Sequence, residues 1–244
     1  MRRLSVLSVL CGALALAPSA VLAADPPVVV ELFTAQGCAA CPAANQTVAR
    51  VAHDPKVIVL TYGVDYWDYL GWSDTFARPE FSQRQRAYRH ALGLRNLATP
   101  QVVIAGQKTI EQARQNDLLE AIEDQSKSTI SPPDIEFRET GDRVGVGSGR
   151  IPDGGAEVVA VRYLPGVQTV QVRAGDNRGR NVSHVNVVRE IHSLGDWNGR
   201  SSLYQLPPGF TRQDTQGEAV LVLLQSKADR RILAAASLPE LRHD

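Results

Sequence analysis

The stretch Val28-Val29-Val30-Glu31-Leu32-Phe33-Thr34-Ala35-Gln36-Gly37-Cys38-Ala39-Ala40-Cys41-Pro42 decides how the rest of the chain is read. Its apolar run from Val28 to Phe33, broken only by Glu31, has the length and content of a buried strand and leads directly into Cys-x-x-Cys. A helix is expected next, with Ala43, Ala44, Val48, Val51 and Ala52 on its inner face and Asp54-Pro55 as its stop. Val57 to Thr61, short and β-branched, reads as a second strand buried on both sides and parallel to the first. Together they form a strand, helix, strand unit with the cysteines where the helix begins.

Working outward, Tyr62 to about residue 98 is an insertion. Between Tyr62 and Tyr88 it holds eight of the chain's fourteen aromatic residues, concentrated beside the cysteine pair. Its second half predicts a helix opening at Pro79, a favoured first-turn residue, and running to about Leu92, with Arg84, Arg86, Arg89 and His90 outward or towards a cleft. Gln101 to Ile104, a Gly106 turn and a strand starting near Lys108 read as a hairpin. A closing helix fits Asn116 to Gln125, with Leu118, Leu119 and Ile122 at helical spacing.

Past Ser131-Pro132-Pro133 the texture changes to short β-rich runs between turn residues: 135–139, 143–146, 157–163, 169–173, 182–191, 219–224 and 231–236. Seven strands predict a sandwich. The expected fold class is therefore an α/β domain over 24–130 with an aromatic-rich insertion at about 62–98, followed by an all-β, sandwich-like domain over 131–244.

Residues 1–23, with Arg2-Arg3, an apolar run from Leu4 and the ending Val21-Leu22-Ala23, read as a secretory signal. No later stretch approaches the ~20 apolar residues of a bilayer-crossing helix. Across the chain 26 basic residues face 26 acidic ones, which argues against nucleic-acid or anionic-surface binding. No Gly-x-Ser-x-Gly, His-Glu-x-x-His or phosphate-loop lysine occurs, so hydrolase, zinc-protease and nucleotide-enzyme classes lose their usual support. Nothing in the sequence asks for a cofactor.

Cys11 falls within the signal, leaving Cys38 and Cys41 as the thiol content of the exported chain. A staple reading is weak on magnitude: a four-residue ring gives about 1.9 kcal/mol by loop entropy against roughly 3 for fifteen residues. A redox reading has a physical basis, because free N–H groups and the helix dipole stabilise a thiolate at a helix start. On that reading Cys38 attacks, and Cys41, one turn along, resolves the mixed disulfide. A metal reading would need further ligands, and His53, His90, His184 and His192 stand at no ligand spacing from the pair.

The order strand, Cys-x-x-Cys, helix, strand, insertion, Thr-Pro, hairpin, helix resembles the thioredoxin and glutaredoxin superfamily. Glu31-Leu32-Phe33-Thr34, Gln36-Gly37-Cys38, Cys41-Pro42, Val64 to Trp72, Gln85-Arg86, Tyr88 and Thr99-Pro100-Gln101 are similar more narrowly to an exported bacterial thioredoxin-like family described as a domain of unknown function. Asn177, Gly179-Arg180, His184, Asn186 to Arg189, Leu194-Gly195 and Trp197 extend that similarity through the second half. The resemblance implies a cis Thr99-Pro100 bond, with Thr99 presenting an edge to a substrate's extended chain near Cys38. This chain departs from the pattern at Ala39, Ala40 and Ala43, and at Gly63, where a histidine is expected.

Glu31 is a candidate buried proton acceptor for Cys41, and Asp65, among aromatic rings, a second one. Each has a plainer reading, a strand-edge glutamate and a loop cap. Tyr66, Trp67 and Trp72, with Thr99, are candidates for holding a substrate chain, or else form the insertion's own small core. The expectation is a periplasmic or secreted thiol-disulfide oxidoreductase using Cys38, Cys41 and Pro100, whose partners are protein thiols or disulfides and an unidentified redox protein. The alternatives are a non-catalytic binding module and a copper- or zinc-handling protein.

Overall fold

The structure is a computed structural model describing residues 27–111, 113–127, 132–214 and 217–239. The expected signal at 1–23 lies outside the described residues. In chain order the elements are β1 (Val28–Thr34), α1 (Cys41–Val51), β2 (Val57–Gly63), a 3-10 turn (Asp68–Leu70), α2 (Pro79–Ala91), β3 (Gln101–Ile104), β4 (Lys108–Glu111), α3 (Gln115–Ser126), β5 (Ile135–Phe137), β6 (Arg143–Val146), β7 (Ala156–Gln171), β8 (Asn181–Trp197), β9 (Ser202–Gln205), β10 (Ala219–Ser226) and β11 (Ile232–Ser237).

The chain does not adopt the expected fold class. Instead of an α/β domain followed by its own β sandwich, the chain builds one mixed eight-stranded sheet in the order β11-β10-β7-β8-β2-β1-β3-β4. β1 and β2 are parallel, and β2 joins the second half through a parallel register at Thr61 and Val187. The second half's remaining strands, β5, β6 and β9, form a three-stranded sheet that covers one face of the common sheet. Alternating hydrophobicity shows that a segment is a strand; it carries no record of which distant strand it pairs with. The two expected strands at 157–163 and 169–173 are one long strand, β7, with register shifts between Arg162 and Tyr163 and between Leu164 and Val167. β9 was not expected.

All seven residues of β1 are buried, because both faces are covered. Val28, Val30 and Leu32 pack with Val48 of α1 and Leu118 of α3 on one side. Val29 and Phe33 pack on the other with Phe81 and Tyr88 of α2 and with Val161 and Leu223 from the second half. The sheet curls around α2: although β4 and β11 stand at opposite ends of the strand order, the Ile232 N–H donates to the Ala105 carbonyl at 2.9 Å. Gly106 makes that approach possible, since a β-carbon there would lie 2.0 Å from the Arg230 carbonyl oxygen.

Candidate functional site

Cys41 is the first residue of α1 and Pro42 the second, where the missing proline N–H costs no intrahelical bond. Cys38 and Cys41 are joined as a disulfide. The Cys38 Sγ lies 3.7 Å from the Thr99 carbonyl oxygen, and the Thr99-Pro100 bond is cis. Both cysteines are covered, Cys38 being 1% exposed and Cys41 0%, whereas Ala39 and Ala40 between them face solvent.

The insertion braces the Thr99-Pro100 loop. The Trp67 Nε1–H donates to Thr99 Oγ1 at 2.6 Å, the Tyr66 hydroxyl donates to Gln85 Oε1 at 3.0 Å, and Gln85 Nε2 donates to the Ala98 carbonyl and to Gln101 Oε1. Trp72 reaches the cysteine loop from the other side, its Nε1–H donating to Gln36 Oε1 at 2.8 Å. Tyr69, 79% exposed, stacks on Trp67 beside the site. The structure therefore gathers Cys38, Cys41, Thr99, Pro100, Tyr66, Trp67 and Trp72 at one end of β1.

Glu31 and Asp65 are engaged elsewhere. Glu31, fully buried, accepts from Arg84 Nε at 2.7 Å and Nη2 at 3.1 Å and from the Tyr88 hydroxyl. Arg84 is thus buried against β1 instead of facing outward, and its Nη1 also donates to Gln225 of β10. Asp65 accepts from the Ser82 hydroxyl at 2.6 Å in the first turn of α2, the loop-capping arrangement.

Three residues to which the sequence attached no role complete the site: Gln36, Asp74 and Asn177. Gln36 is fully buried and its backbone N–H donates to Asp74 Oδ2 at 2.6 Å. Burial pushes the Asp74 carboxyl up to about 6, opposed by the backbone N–H groups of Gln36 and Phe76 that it accepts from. Asn177, also fully buried, donates from Nδ2 to the Gln36 carbonyl at 2.8 Å and to the Cys38 carbonyl at 2.7 Å. Asp74 stood in a loop with no motif, and Gln36 and Asn177 stood out only among the residues of the family resemblance, with no role attached to either. Gly63 has a steric reason, since a β-carbon there would sit 2.8 Å from the Phe76 backbone.

A cavity of about 570 Å³, lined among others by Pro27, Gln107, Asp124, Pro133, Arg150 and Arg231, includes none of the site residues. Among the described residues no group of three or more His, Cys, Asp or Glu is placed to hold a metal ion, and no helix is long and apolar enough to cross a membrane.

Two solved structures are similar to the chain. Protein AGR_C_4864 from Agrobacterium tumefaciens is 30% identical, with a TM-score of 0.69 over 89% of this chain and 97% of that one. HBP35 of Porphyromonas gingivalis is 16% identical, with a TM-score of 0.51 over 90% of this chain and 78% of that one, a likeness of fold alone. No curated protein matches. Residues 29–225 match the family described as "Protein of unknown function (DUF1223)", and the chain belongs to that family.

Proposed function

We propose that the protein is an exported thiol-disulfide oxidoreductase, periplasmic or secreted, of the thioredoxin-related kind, acting on protein thiols or disulfides through Cys38 and Cys41. The observation that carries this is the cysteine pair at the head of α1 with the Thr99 carbonyl 3.7 Å from the Cys38 sulfur. A helix N-terminus favours a thiolate, and the half-buried Thr99 backbone beside it offers an edge for an extended client chain.

In the reducing direction, the Cys38 thiolate attacks one sulfur of a client disulfide and expels the other as a thiolate, which takes a proton from water. The Cys41 thiolate then attacks Cys38 Sγ, forming the Cys38–Cys41 disulfide and releasing the client's second thiol. Two electrons pass from the protein to the client. Oxidation of a client runs the same steps backwards, and the potential of the pair sets the direction.

Equilibration with glutathione tests the proposal. The expected result is reversible exchange that Cys38→Ser abolishes and a mixed disulfide that Cys41→Ser traps with exported proteins; a pair that never exchanges overturns it. The burial of both cysteines favours a second reading, a non-catalytic binding module whose disulfide only fastens a loop. That reading predicts partner binding that survives Cys38→Ser.

A further inference from the structure

A segment from the far half of the chain packs against the backbone of the cysteine loop. β7 and β8 pair along most of their length, but the register breaks between Leu164 and Val167, opposite Asn186. At that break Asn186 has a positive φ of 49°, its Oδ1 accepts from the Gly166 N–H at 2.9 Å, and its Nδ2 donates to the Val59 carbonyl at 3.0 Å. Before the break β7 lies in the common sheet. Beyond it, residues 167–185 form an arm lying over α1, where the Asn45 Nδ2 donates to the Ser183 carbonyl at 3.0 Å.

The arm's tip, Val172 to Arg180, ends on the cysteine loop. Asn177 spans the carbonyls of Gln36 and Cys38 with one amide, while its Oδ1 accepts from Arg180 Nη1 at 3.2 Å. Gly175 lies so close that a β-carbon on it would be 3.4 Å from Gly37 Cα and 3.8 Å from the Leu70 side chain. The apolar anchorage of the arm is small. Val172, Val182, Val185 and His184, the last edge-on to Phe76 at 5.4 Å, are buried, but Val167 and most tip residues face solvent. Segments with few buried apolar contacts open at a fraction of the global unfolding free energy.

We infer that the β7–β8 tip is a displaceable cover over the cysteine pair, latched by Asn177, and that Cys38 becomes reactive only when the tip lifts at the Gly166–Asn186 break. The inference rests on the proposed oxidoreductase reading, for which it supplies the missing access. It makes Asn177 a positioning residue, acting through the cysteine loop's backbone and not on a client.

The test is the rate of iodoacetamide alkylation of the dithiothreitol-reduced full chain, read at Cys38 by peptide mass spectrometry. Asn177→Ala should alkylate at least tenfold faster than wild type. Asn177→Asp, of equal size but facing both carbonyls with acceptors, should do the same should the alanine variant fold poorly. Trp197→Phe, a lesion at the far end of β8 in the core between the common sheet and the outer three-stranded layer, is the control for general loosening. Equal rates in wild type and both Asn177 variants overturn the cover, as does equal acceleration by Trp197→Phe. Faster alkylation with no glutathione exchange in any variant upholds the cover and defeats the oxidoreductase reading.

Discussion

At the scale of single residues, the strongest electrostatic commitment is the pair Glu31–Arg84, both almost wholly buried and joined to Tyr88 and Gln225. Removing one member of such a pair strands a charge in apolar surroundings, which costs about 3–5 kcal/mol. Arg84→Met should lose that much by urea denaturation, and Glu31→Gln combined with Arg84→Met should recover part of it. Two titrating groups act in opposite senses. Burial holds Asp74 up at about 6 and His184 down at about 4. The stability Asp74 contributes is present below its unfolded value near 4 and is lost as pH rises through 6. The stability His184 contributes is present above about 6.5 and is lost as pH falls through 4. Each shift corresponds to roughly 3 kcal/mol, so the two largely cancel in wild type. Asp74→Asn should therefore expose a steeper acid loss between pH 6.5 and 4, and His184→Gln a gain over the same range; parallel slopes in all three proteins would contradict this. The sequence showed Glu31 as an anomaly in an apolar run. It did not show Arg84 as the partner, because the pairing spans 53 positions and joins a helix to a strand.

At the scale of elements, the first half was legible and the reason is local. Pro79 opens α2, Asp54-Pro55 follows α1, and the turn before Lys108 carries Gly106, each a backbone preference that needs no distant partner. The cysteine loop, Thr99-Pro100 and the aromatic insertion were each visible as candidates, and the structure brings them together. Less visible was Gly63, whose absent side chain lets the end of β2 run beside Phe76 and Ala77 and form a bridge to Ala77. Gly63→Ala should cost about 1–3 kcal/mol by overpacking, measured as a fall in thermal midpoint. The arm was illegible because its two strands resemble any alternating pair. Only the break at Gly166 and Asn186 turns half of the hairpin away from the sheet, and a Pro-Gly step inside a β-rich run reads as a turn between two strands.

At the scale of the molecule, the common sheet makes the two halves one structural unit. The core around α2 takes Phe33, Tyr62 and Phe81 from the first half and Val161, Leu221 and Leu223 from the second. Unfolding should therefore be a single transition. Trp67 and Trp72 report on the first half and Trp197 on the second, so tryptophan-to-phenylalanine variants that leave only one reporter region should give coincident urea midpoints, and separated midpoints would show independent halves. The curl of the sheet around α2 also bears on biosynthesis. Glu31, Arg84 and Tyr88 emerge early from a ribosome, but Gln225, which hydrogen-bonds both Arg84 and Tyr88, is delivered by β10 near the far end of the sequence. A nascent chain thus carries this buried polar cluster without Gln225 for more than half of translation, and a messenger truncated before codon 219 would yield a product in which Arg84 and Tyr88 lack that partner.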